Sequence, residues 1–117
     1  MNNDPHDLLP LSPAVLHILL ALSGEDRHGY GIMQEIARQS SGRYKLGPGT
    51  LYDNLEKLLE KDLVRELPRK PGEEDPRRRY YRLTATGKKL LATEIERLES
   101  LVREARAHLR TNPRRAT

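Results

Sequence analysis

Six basic side chains crowd one short stretch of the chain: Arg69, Lys70, Arg77, Arg78, Arg79 and Arg82. Glu73, Glu74 and Asp75 interrupt them, and Pro68 and Pro71-Gly72 keep the segment from packing. The flanking runs, Leu63–Leu67 and Arg79–Leu83, read as strands, the second favoured by Tyr80 and Tyr81. The whole is a charged hairpin with a long tip. Guanidinium groups on such a tip can track phosphates or enter a minor groove. A charge run is most often a solvated turn. Position favours binding here, because the hairpin directly follows an amphipathic helix.

That helix is expected over Pro48–Lys61, with Leu51, Leu55, Leu58 and Leu59 as its inner stripe. Its outer face carries Thr50, Tyr52, Asp53, Asn54, Glu56 and Lys57. The amides of Pro48–Leu51 attract an anion through the helix dipole, and glycine beside them allows a phosphate close. A helix followed by a charged hairpin is the arrangement a winged helix places on DNA, with the first turns of the helix meeting base edges. The contact candidates on the helix are therefore Gly49, Thr50, Tyr52, Asp53, Asn54 and Lys57. Those on the wing are Arg69, Lys70, Arg77, Arg78 and Arg79. Asp53 and Glu56 repel phosphates, so general attraction falls to the arginines and discrimination to Thr50 and Tyr52. The opposing reading is an ordinary core helix with Tyr52 half-buried.

The elements that must hold this pair are legible from pattern. Ser12-Pro13 starts a first helix, a hydroxyl cap followed by proline where a missing N–H costs nothing. Ala14–Leu22 is nearly all apolar, so that helix is buried on most faces. A polar connection, Gly24–His28, leads to a second helix over Gly29–Gln39 with Ile32, Met33, Ile36 and Ala37 on one stripe. Asp62 stands where the chain turns from helix into strand, and Asp tolerates the left-handed conformation such a turn needs. Thr84 caps a last, long helix with Gly87 in its first turn. Its apolar positions Leu91, Ile95, Leu98, Val102, Ala105 and Leu109 recur at four and three residues, an a/d seam that wants a partner helix.

Composition bounds the rest. The chain has 117 residues, a net charge of +4, no Cys, no Phe and no Trp. Excess base is a soft sign of a polyanionic partner. Without cysteine there are no disulfides or thiolate metal sites. His6, His17, His28 and His108 are scattered, with no metal-ligand spacing, so no metal or cofactor is expected. No nucleophile–base set or phosphate-binding glycine motif assembles, so no enzyme is expected. No apolar run reaches the length of a membrane span. The start, MNNDPHDLLP, lacks the pattern of a signal peptide. The expected location is the cytoplasm.

Three segments in order carry a resemblance: LLALSGEDRHGYGI (Leu19–Ile32), LGPGTLYDNLEKLLEKDLV (Leu46–Val64) and RRRYYRLTATG (Arg77–Gly87). Together they resemble the PadR family of winged-helix transcriptional regulators over about Pro10–Gly87. The resemblance implies a homodimer that binds double-stranded operator DNA as a repressor or autoregulator, with an effector that nothing in the sequence identifies. It implies recognition by Gly49–Lys57, a wing at Pro68–Arg79, and dimerisation by the last helix with help from the first. Asp53 stands where members often have Pro, Asp62 where they often have Gly, and Leu59 where they often have Glu. The tryptophan some relatives use for flat aromatic ligands is missing, so that mode does not carry over.

The expected fold is mainly α with a small β-hairpin: a winged helix-turn-helix plus one long C-terminal dimerisation helix, as in a compact branch of the family. Its parts are a disordered N-terminus at 1–9, the DNA-binding domain at 10–84, the dimerisation helix at 85–110 and a frayed basic tail at 111–117. The expected function is a sequence-specific DNA-binding regulator. The alternative is a winged-helix module that holds a partner protein, favoured by Asp53 and Glu56.

Overall fold

The computed structural model describes residues 4–68, 72 and 78–111. Four α-helices and three short strands follow one another: α1 (Pro13–Ser23), β1 (Arg27–His28), α2 (Gly29–Gln39), α3 (Pro48–Glu60), β2 (Val64–Leu67), β3 (Tyr80–Leu83) and α4 (Ala85–Thr111). Ser12 caps α1 as its residue type dictates, Oγ accepting the Val15 amide at 3.2 Å. Ile18, Leu19, Ile32, Ile36, Leu51, Leu55 and Leu58, one stripe from each of the first three helices, meet in the core with almost no exposure. Leu63, Val64, Tyr81 and Leu83 close it from the sheet, and Leu90 and Leu91 from α4.

The sheet has three strands in the order β1-β3-β2, all antiparallel. Arg27 and His28 pair with Tyr81 and Tyr80. The expected polar connection before α2 is therefore also an edge strand. Two residues carry no periodicity of their own, and β3 supplies the pairing that makes them a strand. The N-terminus also differs from expectation. Pro5–Leu8 form a 3₁₀ turn, with the Asp4 carboxylate accepting the His6 amide at 3.0 Å. Leu8 and Leu9 pack against the core. The segment is held against the core by its leucines.

The helix ends explain the turns. After α3, the Asp62 amide donates to the Leu59 carbonyl and the Leu63 amide to the Leu58 carbonyl. This is the double-bonded helix stop that needs a left-handed residue. Asp62 takes that role with φ 57°. The chain then passes straight into β2. At the far side, Thr84 Oγ1 donates to the Asp62 carbonyl (2.7 Å) and accepts the Gly87 amide (3.0 Å). Gly87 itself presses on β2: a Cβ there would stand 2.2 Å from the Leu63 carbonyl oxygen and 2.6 Å from Leu83 Cδ1.

Among the described residues, Glu94 is the one buried acid, 1% exposed. Its carboxylate accepts the Leu11 amide at 2.8 Å and is paired with Arg97, Nη2 to Oε2 at 3.0 Å. The Arg97 guanidinium holds it below the ordinary glutamate value of 4.5, against the opposing effect of burial. Glu35 on α2 is similarly bridged by Arg38 and faces Arg27, and is drawn down to about 2. From Ile95 onward α4 leaves the core, and the molecule extends to 59 × 36 × 23 Å.

Two outcomes follow from these contacts. Gly87→Ala forces a methyl onto a backbone carbonyl and should destabilise the fold by about 1–3 kcal/mol, the usual cost of overpacking. Urea unfolding would read this as a lower midpoint with an unchanged slope. Both Glu94 and Glu35 have lowered values in the fold. Their stabilisation is thus present above the ordinary glutamate range and drains away as pH falls below about 4.5, for Glu35 down to about 2. Glu35→Gln should flatten the stability profile over that acid window, and an unchanged profile would contradict the pairing.

Candidate nucleic-acid interface

The start of α3 is open to solvent. Pro48, Gly49, Thr50, Tyr52 and Asp53 are all exposed, while Leu51 and Leu55 point into the core. The N-cap is Gly47, which has no side chain to offer. Leu51 donates its amide to the Gly47 carbonyl at 3.0 Å. Pro48 has no N–H, so the expected row of four amides reduces to Gly49 and Thr50, without partners among the described residues. Two unspent amides at a helix N-terminus remain a favourable place for an anion. Asn54 is half-buried and donates Nδ2 to the Thr50 carbonyl at 2.8 Å. Its amide is thereby turned along its own helix. Lys57 and Glu56 are exposed one turn further on.

Tyr52 is 48% exposed, and its position is set by a glycine of another helix. A Cβ at Gly29 would fall 2.2 Å from the Tyr52 hydroxyl oxygen and 2.8 Å from Cζ. The ring therefore lies over the start of α2, in space that only glycine leaves. This contact between the second and third helices was invisible in the sequence, although the HGYGI and GTLY segments each contain one half of it.

The hairpin base stands beside these helices. Arg78, Arg79, Tyr81 and Tyr52, with His28, Gly29 and Tyr30, line a cleft of about 330 Å³. Tyr81 is buried, and burial with the nearby Glu66 raises its hydroxyl above the ordinary value. Tyr80 is half-buried and meets His28 edge-to-face, ring centres 5.3 Å apart. One tyrosine of the pair thus serves the core, as its alternation on a strand requires. Tyr30 is 59% exposed, which makes it a surface residue that the reading from sequence passed over.

The basic residues are not equivalent. Arg79 donates to both carboxylate oxygens of Glu66 across the hairpin, at 3.2 and 3.3 Å. Arg82, on the central strand, is held by Asp26 through two bonds, 3.1 and 2.8 Å, and so belongs to the sheet and not to the wing tip. Arg78 is exposed, with Nη1 3.2 Å from His28 Nε2. Arg69, Lys70 and Arg77 lie outside the described residues.

On α4 the expected seam divides. Leu91 is 5% exposed and belongs to the core, so it is set apart from the exposed positions that follow. Ile95, Val102 and Leu109 are exposed, as is Ala105, and Leu98 is half-exposed. Leu101 lies beside the stripe, 53% exposed. No helix among the described residues is long and apolar enough to cross a membrane.

The chain is similar to known proteins in sequence and in fold. A transcriptional regulator of Mycobacterium tuberculosis is 38% identical over 89 residues, 76% of this chain and 78% of that protein. An uncharacterised 37.1 kDa protein in a Streptomyces fradiae transposon is 41% identical over 88 residues, and the chain spans only 24% of its length. A PadR family transcription regulator from Clostridium difficile, known from its crystal structure, shares the fold with a TM-score of 0.67. It is 27% identical, and the likeness covers 84% of this chain and 99% of that one. The model of the PadR-like transcriptional regulators matches residues 15–93, which take in most of α1, the second and third helices, the whole sheet and the first turns of α4. With its three-stranded wing and long last helix, the chain belongs to the PadR-like family of transcriptional regulators, a winged-helix family whose members are not enzymes.

Proposed function

We propose that this regulator binds operator DNA sequence-specifically, as a cytoplasmic homodimer that represses transcription, its own included. One observation carries the reading. The uncapped start of α3 and the base of the β2–β3 hairpin open on the same cleft, through Tyr52 and Arg78. A recognition helix entering the major groove would bring Gly49, Thr50, Tyr52 and Asp53 to the bases, with Lys57 towards a phosphate. Asn54 contributes its remaining polar atoms. Arg78 and Arg79 reach the backbone from the wing, together with Arg69, Lys70 and Arg77. Arg79 must first exchange Glu66 for a phosphate, so it contributes less than Arg78.

The partner across α4 is a second copy of the chain. Ile95, Leu98, Val102, Ala105 and Leu109 form the stripe that two helices bury against each other, and the half-buried residues of α1 flank it. Pairing sets two recognition helices about one DNA turn apart, about 34 Å. Exposed Asp53 and Glu56 favour a second reading, in which the same face holds a basic partner protein.

Fluorescence anisotropy with duplex from upstream of its own gene, over a salt series, separates the two. Specific binding predicts an affinity that falls steeply with salt and exceeds that for random duplex by about 10³-fold or more. Equal and feeble binding to both duplexes would leave the protein-partner reading standing. For the dimer, Val102→Glu should give a monomer by analytical ultracentrifugation with the fold intact. It should lower operator affinity roughly 100-fold or more, because the two half-sites are no longer linked.

A further inference from the structure

The glycine that opens α2 has no conformational reason to be there. Gly29 is the first residue of that helix, and its backbone lies outside the left-handed region. In a helix alanine is favoured over glycine. The reason for glycine comes from another element. The three atoms nearest to a Cβ at Gly29 all belong to Tyr52: the hydroxyl oxygen at 2.2 Å, Cζ at 2.8 Å and Cε1 at 3.3 Å. They form the far end of a side chain anchored on α3. At Gly87, by contrast, the atom in the way is a backbone carbonyl oxygen, which cannot swing aside. A methyl group at Gly29 would therefore turn the Tyr52 ring out of its place and leave both helices where they are. Tyr52 is 48% exposed. Its hydroxyl end lies against α2, so what it leaves open is the body of the ring. That ring stands among exposed Thr50, Asp53 and Glu56, on the face of α3 turned away from the core. In a major groove, the base feature that ring carbon fits is the 5-methyl group of thymine.

We propose that Gly29 and Tyr52 act as one unit that reads a thymine methyl group. Tyr52 makes the contact through its ring, and Gly29 is the positioning residue that seats the ring. The proposal rests on the DNA-binding reading above. It makes α2 a determinant of sequence preference although no side chain of α2 meets a base. A ring held at its tip has one orientation when α3 arrives at the groove, so the contact is preorganised. Released from the seat, the ring stays exposed but no longer arrives at a fixed place. The loss falls on preference among sequences and leaves the general attraction to a duplex untouched.

The test uses the full chain and fluorescence anisotropy on upstream and random duplexes. Deoxyuridine replaces thymine one position at a time in the upstream duplex, which removes the methyl group and keeps every hydrogen-bonding atom. At one position the swap should weaken wild type by about fourfold, the factor carried by one buried methyl-sized group. The same swap should leave Tyr52→Ala unaffected. Tyr52→Phe keeps the ring, and should keep both the preference for the upstream duplex and the deoxyuridine effect. Gly29→Ala should lose that effect while its thermal melt and its binding to random duplex match wild type. The double variant, Gly29→Ala with Tyr52→Ala, should prefer the upstream duplex no less than Tyr52→Ala alone, because the glycine acts only through the ring. If wild type prefers the upstream duplex but no deoxyuridine effect depends on Tyr52, the unit is overturned while the DNA-binding reading stands. Retention of the full effect in Gly29→Ala, or a melt well below wild type, overturns the positioning role. Loss of preference in Tyr52→Phe assigns the contact to the hydroxyl and overturns the methyl contact. If wild type prefers neither duplex, both readings fall.

Discussion

The structure turns on a joint where three elements meet without a loop between them. Asp62 ends α3, Leu63 begins the hairpin, and Thr84 passes from β3 into α4. Thr84 holds all three: its amide donates to the Leu63 carbonyl at 3.1 Å, and its hydroxyl bridges the Asp62 carbonyl and the Gly87 amide. Gly87 then lets α4 approach until only a hydrogen fits between it and the Leu63 carbonyl. Because every polar group at this buried crossing is used, the joint has one geometry. The angle between the helix that would enter DNA and the helix that would pair with a second copy is set here.

Charge in this chain is arranged locally far more than the net value suggests. Arg38 is bridged to Glu35, Arg82 is clamped by Asp26, Arg97 by Glu94, and Arg79 by Glu66. These arginines build the scaffold: they brace α2, the edge of the sheet, the start of α4 and the hairpin. The exposed pairs among them, Arg79 with Glu66 and Arg82 with Asp26, contribute little to stability one by one. Their effect is to aim side chains and to remove them from the pool that attracts a polyanion. The wing therefore presents fewer effective cations than its sequence contains, and the groups at the cleft count for more.

Regular elements were legible because each carries its own period. The stripe Leu51, Leu55, Leu58 and the Ser12-Pro13 start need no knowledge of the rest of the chain. The left-handed Asp62 was legible too, since a helix running directly into a strand demands such a residue. What pattern could not convey was long-range. β1 exists only because β3 lies beside it. Pro5–Leu8 is ordered because Leu8 and Leu9 find the core. Tyr52 is placed by Gly29, 23 positions earlier in the chain. The amides of the α3 start were overcounted for a local reason, the missing hydrogen of Pro48 and the closed bond of Leu51. Within the site, residue types were readable and their partners were not.

The apolar stripe of α4 shows how a period can be right and its meaning divided. Leu91, Ile95, Leu98, Val102 and Leu109 lie on one face at helical spacing, yet of these Leu91 alone belongs to the buried core. Glu94 marks the boundary. A carboxylate buried at the edge of a core is costly unless paired, and here Arg97 and the Leu11 amide both engage it. Those contacts tie the outgoing helix to the segment that precedes α1. An apolar residue in its place would give up both contacts. The buried acid thus anchors the root of α4, and whatever covers the exposed stripe beyond it must fit a helix whose position and rotation are already decided.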